Sequence, residues 1–249
     1  HNRDDFSPQD ADLARQEPRI ITEFLEGSPL DRFGECSGYT AQGRAITNAK
    51  NNYWFHHKVK EVTDQNRYQK LSGYRVAKLI SRLATHSRSL LRCGVVHLDL
   101  KPDHILVLNK DEVPRFLGLG HLAPLDGRGR LAPDDPAHGF TTAGFAAPEL
   151  ISESSWSEPL DGEAIMLYSL GAIGLSLLFT GPRADLCELW RHSGRESIDA
   201  LIDEMMSHGA QSQNAKLFTL IKTLLEVDPQ RRKRAITLDS LINQLDAIA

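Results

Sequence analysis

Long apolar runs are missing from this 249-residue sequence. Crossing a bilayer takes roughly 18 or more consecutive apolar residues. The best candidate, Ala164 to Thr180, is interrupted by Tyr168, Ser169 and Ser176 and reads as a buried helix. No membrane span is expected. Cysteine is scarce as well: Cys36, Cys93 and Cys187 stand far apart. Neither a zinc pattern nor a disulfide framework is legible in that spacing, and a reducing, cytoplasmic setting fits it. An excess of basic charge is also absent, the net charge being -4. Nonspecific nucleic-acid binding is therefore not expected. The chain has no signal-peptide pattern, no internal repeat and no low-complexity tract. It opens on His1 rather than Met, as a fragment would.

What is present is ordinary globular composition, 41% hydrophobic and 25% charged, enough for a sizeable core. Residues 1–18 are polar. Ile20, Ile21, Phe24 and Leu25 then predict a short strand stopping at a Gly27-Ser28-Pro29 turn. Asp31 to Gln69 has no clear period, although Trp54 and Phe55 suggest a segment docking on something. From Leu71 to Leu91, apolar residues at three-and-four spacing predict a helix stopped by Gly94. Val95-Val96 and Ile105 to Leu108 read as strands around a charged loop, forming a β-loop-β hairpin, with Val113 to Leu119 after them. Gly120 to Gly144 reads as a surface loop. Further helices are predicted over Ala164–Phe179, Ser197–Ser207, Asn214–Val227 and Thr237–Ile248, with Asp228-Pro229 closing the third.

One segment carries chemistry. His97-Leu98-Asp99-Leu100-Lys101-Pro102-Asp103-His104-Ile105-Leu106 lies between two predicted strands and resembles the catalytic loop of protein kinases, H-R-D-L-K-P-x-N-I-L. Other resemblances follow in the family's order. Ala147-Pro148-Glu149 is similar to the A-P-E triplet, with Gly144-Phe145 before it. Tyr168-Ser169-Leu170-Gly171 resembles the central helix of the large lobe, and Asp228-Pro229-Gln230-Arg231-Arg232 the D-P-x-x-R segment. Upstream, Ile21 to Gly27 resembles the hinge between lobes. There Thr22 would be the gatekeeper, and the backbone at Glu23 and Leu25, with Leu106 below, would face an adenine.

The resemblance implies a fold that is mainly α with a small β-hairpin region, a kinase-like C-lobe over 71–249. Residues 1–30 would then be a remnant of N-lobe strand and hinge, and 31–70 an atypical insert. With only about 20 residues before the hinge, the small N-lobe is expected to be absent or truncated.

Measured against the family, the site is degenerate. Magnesium prefers oxygen ligands, and kinases supply them from the loop Asn and the D-F-G Asp. His104 stands in the first place and Gly118 in the second. Leu98 replaces the Arg that reads a phosphorylated loop, and Met166 replaces the central-helix Asp. Asp99, the general-base position, and Lys101, the phosphate-holding position, survive as vestiges of catalysis. Asp99 is otherwise a loop residue bonded to local backbone.

His97 is implied to pack structurally, and Glu149 with Arg232 to form a buried ion pair. His104 has no second His, Cys or carboxylate at legible ligand spacing, so no metal site is expected. Arg128, Arg130, Thr141 and Thr142 read as surface, and Arg231 to Arg234 as the basic end of a helix. The implied function is a pseudokinase-type scaffold or allosteric module with a protein partner, a kinase or signalling component, and no cofactor. An atypical protein Ser/Thr kinase using ATP and Mg, with its N-lobe outside this chain, is the alternative. A metal-independent nucleotide sensor is another.

Overall fold

A computed structural model of the chain describes residues 27–29, 71–108, 113–117, 119–133, 141–152, 157–179, 185–209 and 214–249. The run Ile20 to Leu25, the segment Asp31–Gln69 with Trp54 and Phe55, and Gly118 lie outside the described residues.

Helix α1, Gly73–Arg92, begins where the Ser72 hydroxyl accepts from the Arg75 N–H, satisfying one of the donors a helix start leaves open. Val76, Leu79, Ile80 and Leu83 form its buried stripe. The chain turns at Gly94, whose φ of 75° favours glycine. It then enters β2, Val95–His97. A single 3-10 turn over Pro102–His104 leads into β3, Ile105–Leu108, which pairs antiparallel with β4, Val113–Phe116. A second 3-10 turn, Leu119–His121, leads into β5, Leu122–Pro124.

Two expectations are corrected here. The strands flanking the charged loop do not pair with each other: β2 pairs with β5, and β3 with β4. Gly27-Ser28-Pro29 is not a turn but strand β1, which adds antiparallel to β3 and makes the sheet order β1-β3-β4. Backbone pairing is non-local, and alternation within each segment does not encode its partner.

The stretch expected as one surface loop contains β5 and the short strand β6, Arg130–Leu131, which pairs with β7, Leu160–Asp161. Between them lies the one-turn helix α2, Pro148–Ile151. The remaining helices are α3, Gly162–Leu178, α4, Leu186–Gly209, α5, Ala215–Leu224, α6, Pro229–Ala235, and α7, Leu238–Asp246. Helix α4 starts earlier than its apolar pattern suggests because it is two helices joined at Gly194, φ 56°.

Helix α3 is apolar nearly all round and lies at the centre, as such helices must. Helices α1, α5 and α6 and strand β2 pack on it, and α7 lies against α1. At Gly171 the close approach of α5 is only possible without a side chain: a Cβ would sit 2.6 Å from that of Leu224. Among the described residues the fold is mostly helical with small antiparallel sheets, and none of their helices is long and apolar enough to cross a membrane.

Candidate functional site

Two strand pairings converge to build the site. The β2–β5 register sets His97 opposite Leu122, and just beyond it the Leu98 N–H donates to the His121 carbonyl at 3.0 Å. Pairing of β3 with β4 sets Ile105 opposite Phe116, and the Leu117 N–H donates to the His104 carbonyl at 2.7 Å. Segments far apart in sequence thus place His97, His104 and His121 around Asp99. The rings of His104 and His121 stack at 5.1 Å between centroids, and His97 lies 5.9 Å from His104.

Asp99 is 5% exposed, and its Oδ2 is the focus of the cluster. Lys101 Nζ lies 3.0 Å away, His104 Nδ1 3.3 Å and His121 Nε2 3.9 Å. Oδ1 is buried and makes no hydrogen bond among the described residues. Burial pushes the Asp99 carboxyl up, but the facing Thr142 hydroxyl, the Lys101 ammonium and His104 outweigh it and leave it below the ordinary carboxylate value. The group is therefore ionised at neutral pH. Lys101 also donates to Thr142 Oγ1 at 2.7 Å. Thr142 is accordingly a half-buried partner of the loop, not the bland surface threonine expected from sequence.

The histidines divide by role. His97 is fully buried; its Nε2 donates to the Leu117 carbonyl at 2.9 Å and its Nδ1 accepts from the Asp99 N–H at 3.3 Å. Desolvation lowers its pKa, and the neighbouring His104 and His121 work in the same direction. It braces the loop and has no ring nitrogen left for a ligand. His104 donates from Nδ1 to the Asp99 carbonyl at 2.7 Å. One donor atom each from Asp99, His104 and His121 lies within 4.8 Å of the others. Spacing along the chain concealed His121 as a partner of His104, because the two meet through two different strand pairs. The expectation that no metal-ligand set exists here is thereby revised at the level of geometry.

Other sequence-derived positions fall as follows. Leu98 and Met166 are fully buried in the core, and Leu106 is half-buried on β3. Thr22, Glu23, Leu25 and Gly118 lie outside the described residues. Glu149 and Arg232 form a two-pronged buried pair at 2.7 and 3.2 Å. The basic run splits up: Arg232 is interior, Lys233 pairs with Asp161 and Glu163, and Arg231 pairs with Asp228. Arg128 and Arg130 are exposed, and their N–H groups both donate to Asp126.

Among the described residues, a helical body carries an Asp-x-Lys loop between small antiparallel sheets, a build consistent with a kinase-like fold. The family model described as the protein kinase domain matches residues 46–243, and the chain belongs to that family. The match begins inside the 31–70 segment. Among curated relatives, Serine/threonine-protein kinase D of Synechocystis sp. (strain ATCC 27184 / PCC 6803 / Kazusa) is 22% identical over 209 residues, covering 83% of this chain and 38% of the relative. Ribosomal protein S6 kinase alpha-4 of Mus musculus is 30% identical over 196 residues, covering 69% of this chain and 22% of the relative. The matched part is thus well under half the length of either of these relatives.

The donor set does not fit the magnesium that family membership implies. Mg²⁺ demands octahedral oxygen coordination at about 2.0–2.1 Å. Asp99 offers carboxylate oxygen, but the groups gathered with it are imidazoles, and that of His104 is already engaged with Asp99.

Proposed function

We propose that this chain is a pseudokinase-type binding or allosteric module, with negligible transfer of phosphate from Mg-ATP and with a protein partner as its target. The supporting observation is the His104 ring seated on Asp99, its Nδ1 3.3 Å from the carboxylate and 2.7 Å from the backbone carbonyl. A group that cannot hold Mg²⁺ occupies the ligand position and engages the base as well. General-base catalysis contributes about 10²–10⁴-fold, far short of what phosphoryl transfer gains from its metals and phosphate cradle.

A second reading has its own support. Asp99 is ionised and paired with Lys101, and Lys101 reaches Thr142, an arrangement a protein Ser/Thr kinase would use to position a hydroxyl acceptor and a γ-phosphate. The two are separated by radiolabelled ATP with Mg²⁺ or Mn²⁺, assaying autophosphorylation and a generic protein substrate. Background counts in the wild type are the expected result. Transfer that vanishes in Asp99→Ala overturns the pseudokinase reading in favour of the enzyme.

A further inference from the structure

We propose that Asp99, His104 and His121 form a binding site for a borderline divalent transition-metal ion, Zn²⁺ being the best match. The inference does not depend on whether the chain transfers phosphate. It starts from ligand chemistry. Two imidazoles and one carboxylate with an open position is a set that zinc and non-haem iron sites use, whereas magnesium and calcium take oxygen.

Distance comes next. In a tetrahedral site with bonds of about 2.1 Å, neighbouring ligand atoms stand about 3.4 Å apart. Here His121 Nε2 stands 3.9 Å from the Asp99 carboxylate, and one donor atom from each of the three residues lies within 4.8 Å of the other two. The spread beyond about 3.4 Å is to be closed by side-chain movement on the backbone as it stands. That backbone is already fixed by the Leu98–His121 and Leu117–His104 hydrogen bonds.

The surroundings fit as well. His104 donates Nδ1–H to a backbone carbonyl, the outer contact that metal-binding histidines commonly make and that leaves the lone pair on Nε2. Asp99 has two oxygens. Lys101 occupies Oδ2, while Oδ1 is buried without a hydrogen bond, so an ion on Oδ1 would keep the Lys101 contact as its outer partner. His97 cannot compete, since both its ring nitrogens are used by the backbone. An entry path exists: His104 and His121 side chains are 20% and 30% exposed. An ion there would tie the charged loop to the start of the segment that leads toward Thr142.

Zn²⁺ titration of the whole chain tests this, after stripping with EDTA. Bound metal is counted by equilibrium dialysis with elemental analysis, and Co²⁺ serves as a spectroscopic probe. The expected result is one Zn²⁺ per chain, a melting temperature that rises with Zn²⁺, and visible Co²⁺ bands of a low-coordinate site, all persisting in excess Mg²⁺. His104→Asn and His121→Ala should each weaken Zn²⁺ binding by at least about tenfold, while His192→Ala, on the exposed face of α4, should not. Metal-free melting curves establish that each variant is folded, and His121→Gln replaces His121→Ala if the latter is not. Absence of saturable binding in the wild type overturns the proposal. So does one-to-one binding that survives both His104→Asn and the His121 variant, because the ion would then sit elsewhere.

Discussion

Arg232 is fully buried and spends its guanidinium on four partners: the Glu149 carboxylate and the carbonyls of Ala164, Glu226 and Val227. Its planar fork suits this better than a lysine would. The guanidinium also lies over the Tyr168 ring at 5.0 Å from its centroid, while Arg195 approaches the same ring at 5.8 Å and donates to its hydroxyl at 2.7 Å. Removing one partner of a buried pair costs about 3–5 kcal/mol. Arg232→Ala should be the more damaging change because it strands three carbonyls along with Glu149. Glu149→Ala leaves those three contacts in place. In urea unfolding, the double variant should resemble Arg232→Ala alone, well short of the sum of the two single effects. Simple additivity would mean that the pair is not coupled. The pair was readable in sequence because both residues belong to motifs. Arg195 was not, since it lies on a helix with no motif and meets Tyr168 only through tertiary packing. The same holds for His121.

The segment 141–152 shows at the level of an element how backbone geometry links the site to the helical body. Thr142 receives Lys101 on its hydroxyl and the N–H groups of Phe145 and Ala146 on its carbonyl. Ser169 of α3 donates to the Phe145 carbonyl at 3.0 Å. Between them, Gly144 holds a φ of 93°, and a Cβ there would meet the Leu186 carbonyl oxygen at 2.5 Å. Both the left-handed backbone and the approach of α4 therefore require glycine. Gly144→Ala should cost about 2 kcal/mol or more, the left-handed penalty of about 1–2 kcal/mol plus the displacement of α4. Chemical denaturation measures it, and an unchanged midpoint would show that the segment does not seat on α4. Helices were legible from their apolar period, α1 and α3 to within a residue or two. Strand partners were not, because β2 and β3 look alike as short apolar runs and only the fold assigns them to β5 and β4. The site is made by those partners, which is why Asp99, Lys101, His97 and His104 were named from sequence while His121 and Thr142 were not recognised as joining them.

Across the whole molecule, stability should depend on acid through histidines that the fold keeps neutral. His86 on α1 is half-buried with its ring edge-on to Phe116, centroids 5.8 Å apart. Desolvation, and secondarily the positive charge of Arg115, lowers its pKa from the ordinary 6.5. The unfolded chain therefore takes up a proton at this position before the folded chain does. Stability from this source is complete above pH 6.5 and is lost as pH falls from there toward the folded value, since the unfolded state binds more protons in that window. His97 is displaced in the same direction and adds to the slope. The melting temperature of the wild type should thus decline as pH is lowered below 6.5. His86→Gln, which cannot titrate, should make that decline shallower without abolishing it. The comparison is made in EDTA, so that any metal bound at Asp99 does not contribute its own pH dependence. A slope identical in the two proteins would mean that His86 titrates alike in the folded and unfolded chains, and that packing on Phe116 does not desolvate it.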